Sequence, residues 1–367
     1  MNSKNRKRSG RKSLNVLVMV FFVALVFVGI LLSAYRTYKQ NTVRDDTKIT
    51  QTTGIESMEK VTLGGVDQWI LIRGEDRSKP VLLWLHGGPG SPTMPLASQH
   101  DTELVKHFVV VHWDQRGAGK SYSQAIPIRS MVVDQFVSDT YELTQLLAER
   151  FDVPKIYLVG HSWGSQVGML TVARHPELYY AFIGVGQYVN STEGDAIGYQ
   201  FALDQAVSEK NEKALEELEE IGPPPWTTTG QRSTNAQWID AFGGTGRQFT
   251  TQDYFRDMIN SPEYTFRDLY GFVRGMWFSG NAMLANGEYR RVNLFEQVPK
   301  VDVPVYFIQG RYDYNTPGDI VERYYEKLDA PQKTMLWFEK SAHFPHWEEP
   351  QNFLDAMIKI LSETNSK

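Results

Sequence analysis

The stretch IYLVGHSWGSQVGML, Ile156–Leu170, decides how this 367-residue chain is read. A short apolar run, Ile156–Val159, ends at Gly160. Ser162 then stands between Gly160 and Gly164 in the pattern G-x-S-x-G, and helix-compatible spacing continues from Ser165 to His175. Two readings fit these glycines. Any tight turn ahead of a helix favours glycine. A nucleophile elbow requires it, because its serine sits on a strained turn with the hydroxyl beyond the sheet edge, and only small neighbours let strand and helix approach. An apolar strand before the pentapeptide and a helix after it are the context the elbow needs.

Working outward, PVLLWL (80–85), FVVVHW (108–113), AFIGVG (181–186) and VPVYFIQG (303–310) are further short, nearly continuous apolar runs. Such runs suit strands buried on both faces of a parallel sheet. Between two of them, residues 134–150 place Phe136, Thr140, Leu143 and Leu147 at helical spacing. Alternating strands and helices imply an α/β fold with a mostly parallel central sheet and helices on both faces. KVTLGGVDQWILIRG (60–74) adds a hairpin signal around Gly64-Gly65 at the start of the domain. Residues 188–300 interrupt the rhythm and are too long for a loop, so they are read as an inserted, mostly helical cap. The core is thereby divided into 56–187 and 301–367.

The chain has no cysteine, so neither disulfides nor thiolate metal sites can form. Its net charge is −5, but Lys4, Arg6, Lys7, Arg8, Arg11 and Lys12 supply six positive charges; removing them leaves about −11 on everything after them. An acidic body argues against nucleic acid as a partner. Directly after the basic tail (1–13), residues 14–35, LNVLVMVFFVALVFVGILLSAY, contain no Asp, Glu, Lys, Arg or His. About 20 apolar residues span the roughly 30 Å hydrocarbon core of a bilayer. A cleaved signal peptide would have a shorter apolar region and an A-x-A-like site, which Leu32 and Ala34 match poorly. The segment is therefore expected to be an uncleaved anchor. With the basic tail in the cytoplasm, the body lies across the membrane. Residues 36–55 are polar and are expected to form a linker.

A serine needs a base to take its proton and an acid to orient that base. In G-x-S-x-G hydrolases the order is Ser, then Asp or Glu, then His. Asp313 follows the strand-like run ending at Gly310, and His343 follows the next one, so both fall at carboxyl ends of strands, where open α/β sheets keep their sites. His346 competes for the role of base. His343 and His346 lack an H-E-x-x-H motif and an obvious third ligand, so no metal is expected. Acyl transfer also needs donors for the oxyanion. HGGPG (86–90) follows the first buried run, and the N–H groups of Gly88 and Trp163 would form the hole. DQRGAGKS (114–121) ends like a phosphate-binding loop, but position 114 is aspartate where that motif needs glycine. No cofactor is called for.

With HGGPG, DQRGAGKS, GHSWGS, GRYD and SAHF in this order, the chain resembles the α/β-hydrolase superfamily, and within it the proline iminopeptidase group of serine peptidases. The similarity runs from about Glu56 to the carboxyl end. It implies a triad of Ser162, Asp313 and His343, an oxyanion hole built partly by the HGGPG turn, and removal of an amino-terminal residue, often proline, from small peptides. Cap carboxylates hold the free amine in that family; Glu193, early in the cap, is the candidate here. The membrane anchor departs from the typical cytoplasmic members. Hydrolysis of a small ester, amide or lactone is the alternative activity, and a non-catalytic extracytoplasmic binding module the third. An epoxide hydrolase is disfavoured, because that chemistry on this fold would use a carboxylate where Ser162 stands. The oligomeric state stays open.

Overall fold

A computed structural model describes residues 3–364. The side chains of the basic tail, Lys4 to Lys12, lie outside that description, as do those of a few other residues. The chain opens with one long helix, α1 (Ser3–Asp46). The hairpin β1 (Ile55–Leu63) and β2 (Val66–Gly74) follows, turning on Gly64 and Gly65, both at positive φ (51° and 73°). A two-residue turn with both φ positive matches the twist of its flanking strands.

The remaining strands are β3 (Val81–Leu85), β4 (Val109–Asp114), β5 (Ile156–His161), β6 (Tyr179–Val185), β7 (Val305–Gly310) and β8 (Lys333–Phe338). They form one eight-stranded sheet in the order β1-β2-β4-β3-β5-β6-β7-β8. β2 pairs antiparallel with both neighbours, and β3 to β8 run parallel. Alternate residues explain the continuous apolar runs. Val81, Leu83 and Leu85 face one core layer, shared with Phe136, Leu143, Val167 and Met169. Leu82 and Trp84 face the other, with Phe353, Met357 and Ile360. Both faces are thus covered by helices, as parallel sheets require.

The helices that cover the sheet are, in chain order, α2 (Ala97–His100), α3 (Val133–Phe151), α4 (Trp163–Arg174), then α11 (Gly318–Lys327), α12 (Pro345–Glu348) and α13 (Pro350–Thr364). Between β6 and β7 the chain makes α5 (Ser191–Ser208), α6 (Glu212–Ile221), α7 (Thr229–Ala241), α8 (Thr251–Asn260), α9 (Phe266–Ala285) and the short α10 (Leu294–Gln297). Their starts are written locally: Thr228, Thr250 and Thr265 each close a capping box with Gln231, Asp253 and Asp268.

The cap is seated by small residues. Added Cβ atoms at Gly271 and Gly275 would fall 2.7 and 2.5 Å from the carbonyl oxygens of Gly119 and Gly117. Ser279 Oγ donates to Gly117 O at 3.2 Å. α9 therefore lies directly on the DQRGAGKS loop. That loop also sends Lys120 Nζ to Glu263 O (3.0 Å) and Asp268 (2.8 Å), while Tyr264 OH donates to Asp114 at 2.5 Å. Burial raises the Asp114 carboxyl to about 7. The lysine that imitates a phosphate-binding loop instead ties the cap to the sheet.

One expectation is corrected. Residues 36–46, assigned to a polar linker, continue α1 as helix. Arg36 donates from Nε to Ile259 O (2.7 Å) and from Nη2 to Tyr264 O (2.6 Å), and Gln40 Nε2 donates to Ser261 O (2.6 Å). Residues 36–46 contain neither glycine nor proline, so nothing local stops the helix, and polar side chains find partners on the α8–α9 turn.

Candidate active site

The elbow is explained by sterics. β5 ends at His161, and Ser162 takes φ 54°, ψ −122° before α4 begins at Trp163. A non-glycine residue at positive φ stores about 1–3 kcal/mol and persists only when its surroundings impose it. Here an added Cβ at Gly160 would lie 2.5 Å from Gly164 O, and one at Gly164 would lie 2.3 Å from Leu85 O. Both glycines are thus required by close packing of β5, α4 and β3. Ser162 N donates to Val185 O at 2.9 Å, which ties the strained turn to β6.

Asp313 lies just beyond β7, and His343 just beyond β8. The two meet: His343 Nδ1 and Asp313 Oδ2 are 2.8 Å apart, both side chains buried. The carboxylate is held in turn by Gln309 Nε2 (3.1 Å), Thr316 Oγ1 (2.6 Å) and the amides of Asn315 and Thr316 (2.9 Å each). Because a carboxylate can only accept, Nδ1 carries the hydrogen and Nε2 is left as the basic nitrogen. Gly186, at φ 53°, leaves room behind this pair, since a Cβ there would stand 3.1–3.2 Å from the His343 ring and Asp313.

Ser162, His343, Gly88 and Trp163 all line one cavity of about 410 Å³ between the sheet edge and the cap. Gly87 is pressed against the serine, an added Cβ falling 3.1 Å from that of Ser162. The loop before it is fixed by His86. Its Nε2 accepts from Gln115 N (3.1 Å), so Nδ1 donates to Gly87 O (2.8 Å), and burial holds the ring neutral by lowering its pKa to about 4. Gly87 O also accepts from Ser91 N at 3.2 Å. In a trans peptide the next N–H, that of Gly88, points the opposite way from this carbonyl. Trp163 N–H is the first of α4, among the amides with no partner inside the helix. Its indole packs edge-on against Phe136 in the core.

Two residues singled out in the sequence do not reach the cavity. His346 is buried among Trp84, His161, Trp347 and Phe353, with neither ring nitrogen hydrogen-bonded, and burial drives its pKa well below the usual value. Glu193 lies in the first turn of α5, where its backbone N–H donates to the capping Asn190 Oδ1 (3.2 Å), and its carboxylate pairs with Arg323 on the outer surface. Helix residues two apart differ by about 200° in direction, so the side chain that turns inward is Asp195. It forms a bidentate pair with Arg232 on the cavity wall, and burial raises its carboxyl to about 6. Arg232 lies over the Tyr289 ring at 4.3 Å. Beside it, Asn235 is buried with Oδ1 lacking a hydrogen-bond partner. Asp195, Arg232 and Asn235 escaped the sequence reading, because no local motif joins residues 37 positions apart. Thr316, three residues beyond Asp313, escaped it too, since no motif marks that hydroxyl as a donor to the carboxylate.

The comparisons with known proteins fit this geometry. The sequence profile described as "Alpha/beta hydrolase family" matches residues 82–356. The "Probable aminopeptidase YbaC" of Bacillus subtilis (strain 168) is 36% identical over 307 residues, 83% of this chain and 96% of the relative. The "Proline iminopeptidase" of Heyndrickxia coagulans is 25% identical over 293 residues, 77% and 90% of the two chains. The crystal structure of proline iminopeptidase from Mycobacterium smegmatis superposes with TM-score 0.60 at 18% identity, covering 84% of this chain and 98% of that one. Sheet order, strained elbow and a profile match across most of the chain agree: this protein belongs to the alpha/beta hydrolase family and is a hydrolase.

Proposed function

We propose that the protein is a serine hydrolase working through an acyl-enzyme. The 2.8 Å contact of Asp313 with His343 Nδ1, on the same cavity as the strained Ser162, is the observation that supports this most. His343 Nε2 takes the hydroxyl proton as Ser162 Oγ attacks the carbonyl carbon. Asp313 steadies the imidazolium, and the N–H groups of Gly88 and Trp163 receive the oxyanion. The leaving group departs with the proton from His343, and water, deprotonated by the same nitrogen, releases the acid and restores Ser162.

The leading substrate is a small peptide from which the amino-terminal residue is removed, in keeping with the aminopeptidase names of the relatives. In this reading Asp195 and the unpartnered Asn235 Oδ1 receive the free amine. A second reading, hydrolysis of a small ester, amide or lactone, is favoured by Asp195 already being neutralised by Arg232. Turnover of proline, alanine and leucine amides against short-chain esters separates the two. Ester turnover with no release of amino-terminal residues would remove the peptidase. The apolar part of α1, with none of its span buried against the body and long enough to cross a bilayer, is assigned as the anchor, with the hydrolase body outside the cytoplasm.

A further inference from the structure

The outer face of the cap is apolar where a solvent-facing helix would be polar. On α9, Phe266, Tyr270, Val273 and Trp277 recur at intervals of four, three and four, which places them on one side of the helix. Phe266, Tyr270 and Trp277 are each 58–60% exposed. Phe255 and Ile259 of the neighbouring α8 extend the same patch, the Phe255 ring meeting Phe272 of α9. The stripe cannot roll inward, because the opposite side of α9 is locked to the DQRGAGKS loop through Gly271, Gly275 and Ser279. A fixed apolar surface of this extent marks an interaction site.

Its position says what covers it. The apolar run of α1 ends at Tyr35, and the next residue, Arg36, lies over the Phe266 ring at 4.3 Å and bonds the carbonyls of Ile259 and Tyr264. The patch is therefore continuous with the point where α1 leaves its membrane span. Aromatic side chains dominate it, as they do at membrane–water interfaces. Arg267 and Arg274, both exposed, flank the stripe on one side, where lipid phosphates would lie.

Resting on the assignment of α1 as an anchor, we infer that the α8–α9 face of the cap sits in the interfacial zone of the leaflet from which α1 emerges. The occupant is bilayer lipid. Phe255 belongs both to this face and to the lining of the catalytic cavity, so the cavity wall reaches the membrane surface. The enzyme thus holds the wall of its site against lipid.

The test uses the full chain in nanodiscs holding one copy each, with lipids brominated near the headgroup. Expected are a lipid-quenched part of the tryptophan emission that disappears in Trp277→Phe, and a loss of acrylamide quenching of Trp277 on insertion. Hydrolysis of a water-soluble substrate should be the same in wild type and Trp277→Phe. Equal bromolipid quenching in both proteins would overturn the inference, as would failure of the full chain to enter discs through α1. Protection of Trp277 only in discs with two copies would assign the face to a second molecule and overturn it too. Failure of a fluorophosphonate to modify Ser162 in the same discs would sink the serine mechanism while leaving the fluorescence result untouched.

Discussion

The floor of the cavity and its roof obey different rules. Ser162, Asp313, His343 and Gly88 leave the carboxyl ends of β5, β7, β8 and β3, and backbone packing places them: Gly160 and Gly164 admit no Cβ, and Asp313 is gripped by four donors besides His343. The roof is set by side chains on separate helices, Asp195 on α5 and Arg232 and Asn235 on α7, joined by one ion pair. In the proposed function, chemistry is tied to the sheet, and selectivity to contacts that can change without disturbing it. Substitutions in the two regions should accordingly differ in kind.

The largest effect is expected on the floor. Ser162→Ala should lower turnover by about 10⁴–10⁶-fold with little change in melting temperature, since only the nucleophile is lost. Asp313→Asn should follow, at about 10⁴-fold, because an amide can donate to Nδ1 and stabilise the wrong tautomer of His343. Circular dichroism and kcat measurements check both. Unfolding of either variant would mean that floor and fold are less separable than described.

Where roof meets floor, the effect is on stability. Asp114 titrates near 7 in the folded state against about 3.9 unfolded, so between those values the folded state holds the extra proton. Stability should therefore fall as pH rises from about 4 to 7, by at most about 4 kcal/mol. Asp114→Asn should flatten that slope in denaturant titrations run across the range. A slope unchanged by the substitution would assign it to other groups.

The smallest effect belongs to the roof itself. Asp195→Asn should reduce kcat/KM for substrates with a free amine by about 10–100-fold, the worth of a charge-assisted hydrogen bond. Ester turnover should change less than about threefold, since no charged contact to the substrate is lost there. Equal losses on both substrates would make Asp195 a structural partner of Arg232 and favour the ester reading.

The sequence was legible where chemistry and backbone geometry coincide. The elbow, the loop at Gly88 and the order Ser162, Asp313, His343 each sit beside a strand of strongly apolar pattern, and short-range sterics dictate which residues can stand there. The hairpin at Gly64-Gly65 was readable for the same reason. Long-range pairing hid the rest. Glu193 and Asp195 look alike in sequence, and only helical direction separates the outward from the inward carboxylate. The partner of Asp195 lies on another helix, and the continuation of α1 to Asp46 rests on contacts of Arg36 and Gln40 with residues more than 200 positions away.

Fluorophosphonate treatment of the purified protein, followed by mass spectrometry of its peptides, tests the central claim most directly. One phosphonyl adduct on Ser162, absent in Ser162→Ala and formed much more slowly in His343→Ala, is the predicted result. An unmodified Ser162 in protein that still hydrolyses its substrate, or full activity in Ser162→Ala, would contradict it.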